Sequence, residues 1–233
     1  MTYRKQASLL ALATALALPV ASSADNLDFN YLELDYIDVD AGFSRSTTFE
    51  DSTQLRERTR SDGGYRLGAA WQFYENFHVF ADYSSADQDL RVSFGDINAT
   101  ESFDVERLRV GVGYAFPLSN IGSIYGRLSY DRTEFDGSLV NTATPATILT
   151  NRDDDGLGVE VGALWAVTRA FQLQGQVRYS AVGEVDARKN DAFDDDYLFG
   201  VTGRWFFTPR LALQAGYETG EIDTWNVGAR LTF

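Results

Sequence analysis

The chain of 233 residues contains no cysteine. Disulfides and thiolate chemistry are therefore excluded, and rigidity must come from packing or from a closed hydrogen-bonded sheet. Only one histidine, His78, is present, which leaves little material for imidazole acid–base catalysis. Beyond residue 24 no run of about 18 apolar residues occurs, which excludes a helical membrane protein. Basic residues are also scarce, with 20 Lys and Arg against 34 Asp and Glu. That balance repels a phosphate backbone, so nucleic acid is not an expected partner.

What is present begins with an export signal. Arg4 and Lys5 precede an apolar run over residues 7–18, then Pro19 and the small residues Ser22, Ser23 and Ala24. This pattern predicts a secretory signal peptide over residues 1–24, cleaved after Ala24. The apolar run is shorter than the roughly 20 residues a membrane-spanning helix needs. Asp25 rather than Cys follows the cut, so no lipoprotein anchor is expected. Cleavage leaves residues 25–233 as one domain with 18 basic and 34 acidic residues, a net charge of −16.

The remainder is written in a two-residue period. At the end of the chain Trp225, Val227, Ala229, Leu231 and Phe233 alternate with Asn226, Gly228, Arg230 and Thr232. Such alternation makes a β-strand with two chemically different faces. Nine further segments read the same way, at about 28–38, 64–74, 77–86, 103–116, 123–134, 156–167, 171–182, 196–207 and 211–219. Connections near residues 75, 119, 169 and 209 are short, whereas those near 39–62, 86–102, 135–155 and 183–195 are long and polar; only the last, near 220, is tight. In the segment 39–62, Arg56, Arg58 and Arg60 alternate beside Glu50, Asp51 and Glu57 and extend the wall outward. Tyr36, Tyr65, Tyr83, Tyr130, Tyr179, Tyr197 and Tyr217 fall near the long-loop ends of the apolar faces. Trp71, Phe73, Phe77, Phe116, Trp165, Phe171, Trp205, Phe207 and Phe233 fall near the short-turn ends. Two aromatic belts bounding an apolar band predict a transmembrane antiparallel up-and-down β-barrel, all-β, of about ten strands, with eight or twelve as alternatives. An even strand number puts both termini on the short-turn side, which in this fold class is the periplasm.

The segments Asn30-Tyr31-Leu32-Glu33, Asn76-Phe77-His78-Val79-Phe80 and Gly228-Ala229-Arg230-Leu231-Thr232-Phe233 carry a family resemblance. The chain resembles the small single-chain bacterial outer-membrane barrels, the OmpA-like or porin-like group, over its whole length after the signal peptide. The resemblance implies location in the bacterial outer membrane, contact with outer-membrane lipid and lipopolysaccharide, and insertion by the barrel assembly machinery. The closing strand of Trp225, Val227, Ala229, Leu231 and Phe233 resembles the assembly signal that this machinery reads. These motifs concern strand pairing and insertion and imply no chemistry and no cofactor.

Parity points Glu33, Asp35, Asp82, Asp131, Glu160 and Glu218 inward, together with Arg66, Arg107, Arg109, Arg127, Arg178, Arg204 and Arg230. In a narrow interior these charges form either a paired network that fills the barrel or the lining of an anion-favouring pore. The small bore of a ten-stranded barrel favours the network. Inward Gly68, Gly111, Gly113, Gly158 and Gly162 argue the other way, because small residues leave room. Some outer-membrane barrels are proteases or lipid-modifying enzymes, the ten-stranded omptin proteases being nearest in strand count. Their chemistry needs a histidine paired with an acid or serine near the outer rim, and His78 starts a strand at a short turn. The Asp153–Asp155 and Asp194–Asp196 runs do not have the ligand spacing of a calcium loop, and read as solvated acidic loops. The expectation is a non-enzymatic outer-membrane barrel, structural or surface-interacting, whose long acidic loops meet an unidentified extracellular ligand. A narrow porin-like channel is the alternative, and a barrel enzyme a third.

Overall fold

Alternation of apolar and polar residues produces strands whose two faces are both in use. The computed structural model describes residues 29–40, 44–48, 54–94, 97–119, 122–140, 147–182, 196–220 and 223–233. These residues form β1 (Tyr31–Asp40), β2 (Ser44–Thr48), β3 (Gln54–Tyr74), β4 (Phe77–Phe94), β5 (Ile97–Ser119) and β6 (Gly122–Val140). They continue as β7 (Thr147–Ala166), β8 (Phe171–Ser180), β9 (Asp196–Phe206), β10 (Leu211–Thr219) and β11 (Asp223–Thr232). The strands from β3 to β11 pair antiparallel in chain order. β1 closes the cylinder, pairing with β11 through Glu33 and Arg230 and with β3 through Tyr36 and Tyr65. The barrel therefore has ten strands, with β2 added as a short hairpin arm on the far part of β3. Closure leaves the wall without a free edge, the condition for sheet to lie in hydrocarbon.

Burial is inverted relative to a water-soluble fold. Leu157, Leu128, Trp71 and Val161 are exposed on the outside, whereas Arg127, Arg204, Arg230, Gln172 and Glu160 are buried inside. The apolar outer band is bounded by two aromatic rings. One end carries Tyr36 against Trp225, Tyr65 against Tyr83 and Tyr179 against Tyr197, with ring centroids 5.3–6.0 Å apart. The other carries Trp71 beside Phe73, Phe77 beside Tyr114 and Phe171 beside Trp205. At that second end the connections are tight. Thr168 Oγ1 accepts from the amides of Ala170 and Phe171, and Thr208 Oγ1 accepts from those of Arg210 and Leu211. Both turns are thus closed by the hydroxyl of their first residue.

The long connections differ from the sequence expectation. β3 to β7 run for 21, 18, 23, 19 and 20 residues, about twice the 9–11 residues a transmembrane strand needs. Most of the expected loops at 39–62, 86–102 and 135–155 are paired strand that continues past the tyrosine ring. At about 3.3 Å per residue the excess projects roughly 30 Å beyond the membrane on one side of the mouth. β1 and β8 to β11 stop at 9–11 residues. Outside the membrane neither face of a strand meets lipid, so the apolar period that marks the spanning part disappears although pairing continues. In β3 the change coincides with a bulge at Ser61–Gly63, where Gly63 has φ of 84°. Ser61 Oγ accepts there from the amides of Val39 and Gly63. The segments 1–28 and 183–195, including the expected signal peptide and one long loop, lie outside the described residues.

Candidate functional site

The inward faces of ten strands converge on a lumen that is layered from the turn end to the projecting end. Nearest the turns lies an apolar cluster of Phe29, Tyr31, Ala70, Phe80, Ala115, Tyr125 and Leu164. Phe29, just ahead of β1, is held by its amide to Gln72 Oε1 at 3.3 Å. Its ring stacks on His78 with centroids 4.1 Å apart and meets Tyr125 edge-on at 5.3 Å. Into this cluster β6 delivers Arg127. Its guanidinium carbon sits 4.5 Å from the Phe80 centroid, 5.0 Å from Tyr125 and 5.3 Å from Phe29. Nε donates to His78 Nε2 at 3.1 Å, Nη2 to the Tyr31 hydroxyl at 2.9 Å and Nη1 to Glu160 Oε1 at 3.4 Å. Each guanidinium nitrogen thus has a partner, and its faces lie against rings.

A second set of polar side chains ties the closing strands together. Arg230 donates from Nε and Nη2 to Glu33 Oε2 at 3.1 and 2.9 Å and lies 3.7 Å from the Tyr31 ring centroid. Arg204 donates to Gln214 and Gln172, and Gln214 in turn donates to Asp35 Oδ1 at 2.7 Å. Gln174 donates to the Tyr125 hydroxyl at 2.6 Å. Toward the projecting end the partners become ionic. Arg66 pairs with Asp35 at 2.8 Å and Glu218 at 3.6 Å. Arg109 reaches Glu160 at 2.9 Å, Asp82 at 3.5 Å and Asp131 at 3.6 Å. Arg107 lies one inward step further out, opposite Ser84 and Thr133. Arg178 faces the same space without an ion pair among the described residues.

The inward glycines do not leave room, contrary to the sequence expectation. A Cβ on Gly68 would meet Glu33 Cγ at 2.7 Å, and one on Gly111 would meet Phe80 Cε1 at 2.7 Å. Gly113 is overlain by His78, Gly158 by Ser129 and Asp131, and Gly162 by Tyr125. Each glycine is the floor beneath a large side chain from a neighbouring strand, so small residues here make dense packing possible.

Phe29 and Tyr31 were missed as lumen residues. The signal was available, since both share the parity of Glu33. Their aromatic character masked it, because aromatics otherwise mark the lipid face. His78 is fully buried against Phe29 and Arg127, and among the described residues no carboxylate or hydroxyl is hydrogen-bonded to it. Asp153, Asp154 and Asp155 lie in β7, where Asp153 shares Arg132 with Glu134; Asp194 and Asp195 lie outside the described residues. No cluster of three or more His, Asp or Glu among the described residues is arranged to hold a metal. Trp225, Val227 and Phe233 face outward, with Ala229 and Leu231 on the same parity. The Phe233 amide donates to the Asn30 carbonyl at 3.1 Å, joining the two ends of the barrel.

A closed ten-stranded wall, two aromatic rings and an ionic lumen agree with what the family comparison finds: the profile of the outer membrane protein beta-barrel domain matches residues 8–233. This chain belongs to that family. Its members place it in the bacterial outer membrane. The chain is similar in fold to the transport unit of the autotransporter AIDA-I from Escherichia coli, at 12% identity, with a TM-score of 0.53 and 98% of this chain and 97% of that chain covered. It is also similar to the outer membrane protein OprG from Pseudomonas aeruginosa, at 15% identity, TM-score 0.49 and coverage of 87% and 94%. Ail, the attachment invasion locus protein of Yersinia pestis, matches at 13% identity, TM-score 0.38 and coverage of 88% and 100%. No curated protein sequence matches the chain.

Proposed function

We propose that this chain is a non-enzymatic outer-membrane barrel that does not conduct and that displays an acidic sheet at the cell surface. The observation that carries the reading is the Arg127 cluster, in which Phe29, Tyr31, His78, Phe80 and Tyr125 fill the bore around one fully partnered guanidinium. In this reading the turn end faces the periplasm and β3 to β7 project outward. The lumen network of Glu33, Arg66, Asp82, Arg107, Arg109, Arg127, Asp131, Glu160, Arg178, Arg204, Glu218 and Arg230 stiffens the wall and has no catalytic task. The projecting outer face supports a surface role. The register there aligns Asp87, Asp104 and Asp136 in one row and Glu106 and Glu134 in the row below. Such a face suits a cationic extracellular partner. Lipid and lipopolysaccharide surround the apolar band, and the β11 face ending in Phe233 is the part offered to the assembly machinery.

Planar-bilayer recording of the refolded barrel tests the reading. A barrel that inserts without discrete current steps is expected. Reproducible steps, altered in selectivity by Arg109→Gln, would establish the porin-like alternative instead.

A further inference from the structure

Among the described residues, Arg178 is a lumen charge that forms no ion pair. It is 7% exposed, its Nε is buried without a hydrogen-bond partner, and it points inward from β8 two residues before that strand ends. The register sets Glu160 beside it on one side and Leu198 on the other. Glu160, however, has Oε2 on Arg109 at 2.9 Å and Oε1 on Arg127 at 3.4 Å. Glu218 directs Oε1 to Gln176 at 3.0 Å and to Arg66 at 3.6 Å. Asp131 accepts from Ser180 at 2.8 Å through Oδ2, while Oδ1 faces Arg109 at 3.6 Å. Leu198 offers nothing polar. The charges acting on Arg178 include two arginines, Arg109 and Arg107, and two carboxylates, Glu218 and Glu160, each of which also meets another arginine and neither of which forms an ion pair with Arg178.

A buried guanidinium that forms no ion pair among the described residues and keeps an unpartnered Nε is costly, and its planar fork matches an oxyanion. We propose that Arg178 holds a small oxyanion of the sulfate or phosphate class, drawn from solution through the projecting end of the lumen. Access is from that side. Side-chain exposure is 21% at Arg66 and 19% at Glu218, but 6% at Arg127 and 2% at Glu160. The site sits above the Arg127 cluster and does not require a conducting pore.

Calorimetric titration of the barrel in lipopolysaccharide-free detergent, with sodium sulfate against sodium chloride at matched ionic strength, tests this. One saturable sulfate site per barrel is expected. Arg178→Met weakens sulfate at least about tenfold, the effect of losing a charge-assisted contact. Leu198→Glu, which places a carboxylate in register beside Arg178, abolishes the site and raises the thermal midpoint. Arg178→Met also raises the midpoint in anion-free buffer, because an uncompensated charge is removed. No saturable sulfate binding to the unmodified barrel, or equal binding in all three proteins, overturns the proposal. A lower midpoint or failed folding of Arg178→Met also overturns it, since Arg178 would then have a protein partner.

Discussion

Replacing Arg127 with methionine keeps most of the side-chain stem and removes the guanidinium on which the turn-end cluster converges. Removing one partner of a buried ion pair costs about 3–5 kcal/mol. Glu160 keeps Arg109 at 2.9 Å, so the ionic part shrinks to about 2 kcal/mol by the same reasoning. Tyr31 and His78 each lose a hydrogen bond, and three rings lose a cation at 4.5–5.3 Å. At about 0.5–1 kcal/mol for each of these five contacts, the whole loss comes to about 5–7 kcal/mol. Equilibrium urea unfolding in lipid vesicles reads this out. Trp71, Trp165, Trp205 and Trp225 all face outward and are exposed, so their emission reports loss of lipid contact. Adding Glu160→Gln completes a double-mutant cycle with an expected coupling of about 1–3 kcal/mol. A loss below about 1 kcal/mol with no coupling refutes the reasoning, because a solvated guanidinium in a wet lumen behaves that way.

Gly113→Ala places a methyl group against the His78 ring and costs about 1–3 kcal/mol by overpacking, whereas Gly175→Ala on the outer face meets nothing within 4 Å and leaves unfolding unchanged. On the projecting sheet, partial burial and the carboxylates of Asp87, Asp136 and Glu106 hold Asp104 above the ordinary aspartate value of 3.8. A raised carboxylate favours the fold when protonated, so its contribution is full below pH 3.8 and is lost as pH rises through the raised value. Asp104→Asn therefore stabilises the barrel at pH 7, gives no gain at pH 3, and gains less in high salt; thermal melts at two pH values and two salt concentrations check all three.

The membrane-spanning wall was legible because lipid on one side and a polar lumen on the other write a two-residue period into every strand. Strand ends at Phe77, Phe171 and Leu211 could be read directly, since tight turns and aromatics coincide there. The projecting halves of β3 to β7 could not, because their two faces meet similar surroundings and the period loses its contrast. Parity also assigned the lumen charges to one face without saying which would meet. Pairing across the lumen depends on barrel shear, which brings Glu160 under both Arg109 and Arg127 and leaves its register neighbour Arg178 without it. The glycines show the same limit. Gly162 reads as space until Tyr125 from the adjacent strand is seen to lie across it.

In the proposed reading the lumen is sealed around Arg127, and the absence of native cysteine allows that seal to be measured directly. Ser180 lies on the projecting side of the cluster, whereas Ser123 is 4% exposed on the turn side. Single-cysteine barrels, Ser180→Cys and Ser123→Cys, are treated in oriented proteoliposomes with a membrane-impermeant thiol reagent from the projecting side. A sealed lumen predicts modification at position 180 and none at position 123; comparable modification of both would mean that the bore is open and would contradict the seal.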